Sequence, residues 1–377
     1  MLFELTPDQD FLWETTAKFL TSQAPVGEIR RRREDPLGYS PDYWRRGADL
    51  GWTSLLVTEE HGGGSVSGRG LVDLTLIAHE FGAHAAPGPL GPANVVAGAL
   101  SRAGTRTDVI GALLAGSATA AWAWEEPGGL LAGRPPQLEI GADGDEVVLN
   151  GTKKPVEAAA DADHLLVTGR SGDGLTQVLV PAGTAGLSVE RLRTVDLTRR
   201  FAALHFDHVR LPADTVLGVL GGAADEVEQQ LQQALVVQNA ETVGAMDRGF
   251  AMTVEWAFDR YSFGRPLASY QELKHRFADM KSWLEGGHAI SDAAAEAVAA
   301  GDADAAHLVS VAKAFIGHYG LELMQDCVQI HGGIGVTFEH DLHLFLRRVT
   351  ANGATLGTPA DHRQRIAAIA IEEDSRS

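Results

Sequence analysis

Two stretches late in the 377-residue chain carry residue types that could hold a ligand. The first runs from Arg260 through Phe263 and Gly264 to Gln271, and the second from Gln329 through Gly332 and Gly333 to Gly335. An arginine that closes a long helical pattern can grip a phosphate with its planar fork of donors. An aromatic beside it can pack on a ring. Glycines that follow a helix let a ligand come close to backbone amides. The chemistry suggested is capture of an anionic, ring-bearing ligand. Taken alone, Gly332-Gly333 is better read as a plain turn that ends a helix.

Those stretches sit in a helical setting. Thr6 followed by Pro7 and acidic residues reads as a helix start. Helical patterns recur from Trp44 to Leu50, from Leu71 to Phe81 and from Val95 to about Leu114, with a glycine-rich loop at Gly62 to Gly64. From about Thr119 the period becomes alternating. Asp143-Gly144 and Asn150-Gly151 are expected hairpin dipeptides, and strands are predicted at His164–Thr168, Gln177–Val180, Leu187–Leu192 and Ala203–Val209. Three long helical patterns follow, Glu226 to Tyr261, Tyr270 to Ala300 and Ala303 to Gln329. The expected organisation is a helical domain over 1–118, a β domain over 119–220 and a helical bundle over 221–377, an α+β chain. No strand–GxGxxG–helix fingerprint is present, which argues against a nicotinamide site of the Rossmann type.

Composition sets further bounds. A net charge of -19 disfavours nucleic acid and anionic membrane as partners, because both need a basic footprint. The run Arg30 to Arg33 reads as a solvated helix face, and a second arginine pair stands at Arg347 and Arg348. Cys327 is the single cysteine, expected to be a buried small apolar residue, so no internal disulfide can form. No apolar run is long enough to span a bilayer, and the segment MLFELTPDQDFLWET is acidic where a secretory signal would be basic. The expected location is cytoplasmic.

In combination the motifs resemble the acyl-CoA dehydrogenase family over nearly the whole chain. The Arg260–Gln271 stretch is similar to its RxxFGxP…Q segment, and Gln329–Gly335 to its QxxGGxG segment. Gly51-Trp52 with Glu59-Glu60-His61-Gly62-Gly63 resembles its GW…PEEYGG loop, with Thr58 in place of proline. Glu80-Phe81-Gly82 with Ala86 to Leu90 resembles EELGR…PGPL, and Phe206 to Pro212 resembles FDDVRVP. The resemblance implies an N-terminal helical domain, a middle β-barrel or sandwich and a C-terminal four-helix bundle. It also implies α,β-desaturation of an acyl-CoA, FAD as cofactor and electron-transfer flavoprotein as acceptor. FAD would lie between the middle domain of one chain and the C-terminal domain of its neighbour. Arg260 would then meet the pyrophosphate and Phe263 the adenine side, with Gln271, Gln329, Gly332 and Gly333 lining the same cradle.

The family's carboxylate base stands in one of two places, and by match these fall on Leu356 and Ala234, neither of which takes a proton. The threonine of its TEP loop matches Glu125, within Glu125 to Gly129. Its flavin-contacting strand matches Lys153-Lys154-Pro155-Val156-Glu157-Ala158, without the expected aromatic and hydroxyl groups. This pattern resembles the non-catalytic chain of heteromeric bacterial steroid-catabolic dehydrogenases, and implies an α2β2 heterotetramer with a sister chain. Two other readings stand beside it, a homomeric flavoenzyme with a displaced base and a flavin-free scaffold that binds a partner or an acyl thioester. Glu241 is the first candidate for a displaced base, but it lies about two helical turns, roughly a nanometre, beyond Ala234. It is expected to be a packing or interface carboxylate. Glu339 and Asp341 are expected to cap the next helix, and His331 to be structural or at the flavin edge.

Overall fold

The computed structural model describes residues 4–131 and 134–376. Six helices come first: α1 (Pro7–Gln23), α2 (Val26–Arg31), α3 (Pro41–Asp49), α4 (Gly70–Ala83), α5 (Leu90–Ala103) and α6 (Thr107–Leu114). Thr6 caps α1 as its sequence predicts: its hydroxyl accepts the Gln9 amide and the Gln9 side chain accepts the Thr6 amide, a reciprocal box. The helix expected from Val95 to Leu114 is two helices and begins earlier. Gly104 turns left-handed (φ 62°) to close α5, and Arg106 (φ 56°) opens α6.

Eight strands follow: β1 (Ala120–Ala123), β2 (Glu139–Asp143), β3 (Glu146–Glu157), β4 (His164–Ser171), β5 (Gly174–Pro181), β6 (Leu187–Leu192), β7 (Phe201–Pro212) and β8 (Val216–Leu217). They form one sheet in the order β6-β7-β3-β2-β4-β5-β8, with β1 parallel to β4. Asp143 pairs with Glu146 across a two-residue turn holding Gly144 (φ 64°), the expected hairpin. Asn150-Gly151, read as a second hairpin, lies inside β3 and marks a register shift against β7. Gly151 (φ 139°) has no room for a side chain, because a Cβ there would press on the Leu138 backbone. The dipeptide bends the strand and does not reverse it.

The last third is helical apart from a hairpin. It comprises α7 (Ala224–Asp259), β9 (Tyr261–Ser262) with β10 (Arg265–Pro266), α8 (Gln271–Ala300), α9 (Ala305–His331), α10 (Leu342–Ala354) and α11 (Pro359–Arg376). Asp341 does not cap α10 with its side chain as expected; its carboxylate pairs with Arg30, 2.5 Å away. One apolar core runs through both helical blocks, from Trp52 and Phe81 to Leu235, Met246 and Leu284. The sheet keeps a second core around Val147, Leu165 and Val178.

α4 and α7 touch backbone to backbone. A Cβ added at Gly82 would overlap the carbonyl oxygen of Glu241, and one at Gly244 would overlap the carbonyl oxygen of His79. Overpacking against main-chain atoms cannot be relieved by a rotamer change. Gly244→Ala is therefore expected to destabilise the fold by about 3 kcal/mol, read as a lower midpoint in thermal or denaturant unfolding.

Candidate functional site

Between the first turn of α5, the inner face of the sheet and the middle of α7 lies a cavity of about 60 Å³. Trp122 and Trp124, stacked with centroids 6.0 Å apart, form part of its apolar wall with Val95 and Val237. Ala234 and Leu356 line it together, so the two positions matched to a base converge on one space from α7 and from the loop after α10. Glu241, seven residues beyond Ala234 on the same helix, lines it too, as do Glu125, Glu157 and Arg199.

Glu241 is buried at 3% exposure and is held from two sides, by Arg348 and by Arg199. Arg348 also donates to Asp196 (2.5 Å), and Arg199 to Glu157 (3.0 Å). Three carboxylates thus share two guanidiniums, with Arg348, Asp196 and Glu241 sealed from solvent and Arg199 and Glu157 partly exposed. Burial opposes ionisation of Asp196, but Arg348 and Arg199 outweigh it and hold its carboxyl below the usual range. Glu157 goes the other way, because burial and the nearby charges of Glu241 and Asp196 outweigh Arg199. A carboxylate committed to two arginines is a packing and pairing group, the role expected of Glu241.

Glu125 is different. Burial pushes its carboxyl up to about 7, although it accepts the Leu356 amide (2.9 Å) and lies near the charge of Lys313. Burial also brings the Lys313 ammonium down to about 7, where it donates to Gln238 and to the carbonyls of Asn352 and Thr355. Next along the chain, Glu126 is closed off by Lys153 at 2.6 Å, a pair sealed from solvent. Spacing pointed to Glu125 and Glu157 only as replacements of expected groups. Arg199 and Asp196 carried no signal, and Arg348 showed only as half of a basic pair.

The other predicted residues lie at one end of the helical bundle and face outward. Arg260 follows α7 and is exposed, as are Gln271 at the start of α8 and Gln329 near the end of α9. Phe263 sits at the tip of the β9–β10 hairpin, 98% exposed, on a left-handed backbone (φ 49°) beside Gly264 (φ 83°). Gly332 (φ 66°) and Gly333 are exposed, and a Cβ at either would meet nothing within 4 Å. His331 ties the two segments together: its ring stacks on Trp256 of α7 (5.3 Å) and its Nδ1–H donates to the Cys327 carbonyl (2.8 Å). Its Nε2 is buried without a partner among the described residues, one polar atom left over at the edge of the open glycine turn. Cys327 is fully buried, as expected, and burial raises its thiol to about 12.

Residues 6–108 match the acyl-CoA dehydrogenase N-terminal domain, and residues 225–371 match the acyl-CoA dehydrogenase C-terminal domain. Acyl-CoA dehydrogenase IpdE2 of Mycolicibacterium smegmatis is 29% identical over 366 residues, 97% of this chain and 99% of the relative. Its namesake in Mycobacterium tuberculosis is 28% identical over 96% of this chain and 98% of the relative. Among solved structures, a variant of the Tcur3481-Tcur3483 steroid ACAD superposes with a TM-score of 0.88 at 29% identity, covering 98% of this chain and 99% of that one. Butyryl-CoA dehydrogenase from Megasphaera elsdenii shares the fold (TM-score 0.87, 22% identity, 98% and 100% coverage).

Two outcomes test this geometry. Glu125 has a folded value near 7 against 4.5 for the free group, so between these the folded chain keeps a proton that the unfolded chain has lost. Its contribution is present below about pH 4.5 and is lost as pH rises to about 7, by at most about 3 kcal/mol. Lys313, lowered to about 7 from 10.5, acts with the opposite sign above neutrality, adding stability as pH rises. In denaturant titrations from pH 4.5 to 7 the parent is expected to show this downward contribution and Glu125→Gln to lack it. Arg348→Met leaves Asp196 and Glu241 facing each other without their shared cation, and is expected to cost about 3–5 kcal/mol in the same assay.

Proposed function

The chain belongs to the acyl-CoA dehydrogenase family through its N- and C-terminal domains, and on that premise we propose that it is the supporting subunit of a heteromeric FAD-dependent enzyme. The observation that carries this is the contrast between its two candidate half-sites, one exposed in its ligand-binding groups, the other small and lined by charges already paired within the chain.

The adenine half fits. Exposed Arg260 can grip a pyrophosphate, Phe263 offers a bare aromatic face, and the Gly332-Gly333 turn leaves room for close approach to backbone amides. Gln271 and Gln329 supply amide groups at the same end of the bundle. The flavin half does not fit. A cavity of about 150 Å³ takes a single benzene ring, whereas the space here is about 60 Å³. Pro155 and Glu157 stand where the family places an aromatic and a hydroxyl, and Glu157 is engaged by Arg199. Within the complex FAD would take up the hydride that leaves the β carbon of an acyl thioester. With Leu356 and Ala234 at the base positions and Glu241 committed to two arginines, the proton at the α carbon falls to a base on a sister chain.

The relatives narrow the substrate class. IpdE2 is named an acyl-CoA dehydrogenase, and the solved relative is named a steroid ACAD under a pair of designations. The substrate proposed on these names is a steroid-derived acyl-CoA; the α2β2 assembly, electron-transfer flavoprotein as acceptor and a cytoplasmic location are part of the same proposal and rest on the family resemblance. A second reading has one observation in its favour: Glu125 places a carboxylate against the Leu356 amide, at the backbone of a base position. In a self-sufficient enzyme Glu125, more than Glu241, would take the proton.

Absorbance of the purified chain, alone and co-purified with a sister dehydrogenase chain, separates these readings. Flavin bands only with the sister are expected. Full occupancy in the chain alone would sink the shared-site reading, and no flavin in either preparation would leave a scaffold. In the co-purified complex, Arg260→Ala is expected to weaken FAD retention roughly ten- to hundredfold, the worth of one charge-assisted hydrogen bond, without changing the unfolding midpoint of the flavin-free chain.

A further inference from the structure

Away from the cavity, three side chains from three helices converge on one carboxylate oxygen. His79 of α4 and His288 of α8 both point Nε2 at Oδ2 of Asp247 on α7, at 2.8 Å and 2.9 Å. The three potential ligand atoms lie within 4.8 Å of one another. The imidazoles are 9% and 8% exposed and Asp247 is 31% exposed, so the cluster is enclosed on the histidine side and reachable through the carboxylate. The backbone contact of α4 with α7 at Gly244 fixes the spacing of His79 and Asp247.

Proton counting shows what this arrangement asks for. His79 meets a carboxylate at each ring nitrogen, Asp247 at Nε2 and Glu80 at Nδ1 (3.3 Å). A neutral imidazole has one N–H and can serve only one of them. His288 brings a further ring nitrogen to the oxygen that His79 already uses. The cluster therefore needs added positive charge, as protons on the rings or as a cation among them. A second proton on His79 meets that need, and so does a divalent ion set among the two ring nitrogens and the carboxylate.

We propose that His79, Asp247 and His288 form a Zn²⁺ site that ties α4, α7 and α8 together, with Glu80 orienting His79. With metal at Nε2, the Nδ1–H of His79 is free to donate to Glu80, the carboxylate–imidazole–metal arrangement that fixes a ligand ring. Trp13 donates to Glu80 as well and holds that carboxylate in place. Two nitrogens and one oxygen suit zinc or a neighbouring transition ion; magnesium and calcium prefer oxygen alone. Zinc bonds of about 2.0–2.1 Å at tetrahedral angles set ligand atoms about 3.3 Å apart. The two nitrogen–oxygen contacts would open by roughly half an ångström, and the two ring nitrogens, within 4.8 Å of each other, would come to the same spacing. The partly exposed side of Asp247 leaves a fourth position for water.

This proposal does not depend on the flavin reading, and its test needs no activity. The full chain is stripped with chelator, given equimolar Zn²⁺, passed through gel filtration and assayed for retained metal and unfolding midpoint. Wild type is expected to retain close to one equivalent and to unfold at a higher temperature than the stripped protein. His288→Gln, which keeps a polar side chain but loses the imidazole, is expected to retain at least tenfold less and to show no zinc-induced rise. Glu80→Gln is expected to bind roughly ten- to hundredfold more weakly, as loss of such an outer partner does. Circular dichroism establishes that each variant is folded; should His288→Gln not fold, Asp247→Asn takes its place. Retention by wild type no greater than by the folded variant, or an unchanged midpoint with zinc, overturns the proposal and leaves a cluster held by protons alone.

Discussion

The guanidinium of Arg348 has no contact with water, so each of its donors must find an acceptor inside the protein. It finds them in every part of the chain. Asp196 and Thr198 belong to the loop between β6 and β7, Glu241 to the middle of α7, and the Ala86 carbonyl to the turn before α5. One side chain on α10 therefore fixes sheet, bundle and N-terminal helices against each other. Arg199 extends the network by joining Glu241 to Glu157 at the end of β3. Three members of this network, Glu157, Arg199 and Glu241, also form part of the cavity wall.

Much of the architecture was legible in the sequence because it rests on local rules. The cap at Thr6, the long periodic helices from Glu226 onward and the turn at Asp143-Gly144 are written within a few residues of where they act. The misreadings lie where a local rule had two outcomes. Asn150-Gly151 can reverse a chain or bulge it, and the long pairing of β3 with β7 selects the bulge. The pattern from Val95 to Leu114 keeps helical periodicity on both sides of Gly104, so the break needed one glycine's backbone angle to be known.

The candidate site was legible by type and not by pairing. Leu356 and Ala234 were recognised by their distance from the glycine turn and from Arg260, and both reach the cavity. The partners of Glu241 could not be read, because Arg199 and Arg348 lie 42 and 107 residues away. Arg348 beside Arg347 looks like any exposed basic pair. Only the fold sends one of them to 0% exposure and leaves the other at the surface side of the helix. Charge runs state how many ions there are, and packing decides which lose their water.

The glycine contact between α4 and α7 has a consequence for how such a chain can drift over generations. At Gly82 and Gly244 the obstacle to any larger residue is main chain, which no second mutation can trim away. The cavity residues are held by side chains, and a side chain can be exchanged together with its partner. The scaffold is thus far less free to vary than the chemistry it carries. A duplicated copy can exchange side chains lining the cavity while inheriting the helix spacing unaltered. Shape persists longest where two backbones meet, and function is the first thing such a lineage can revise.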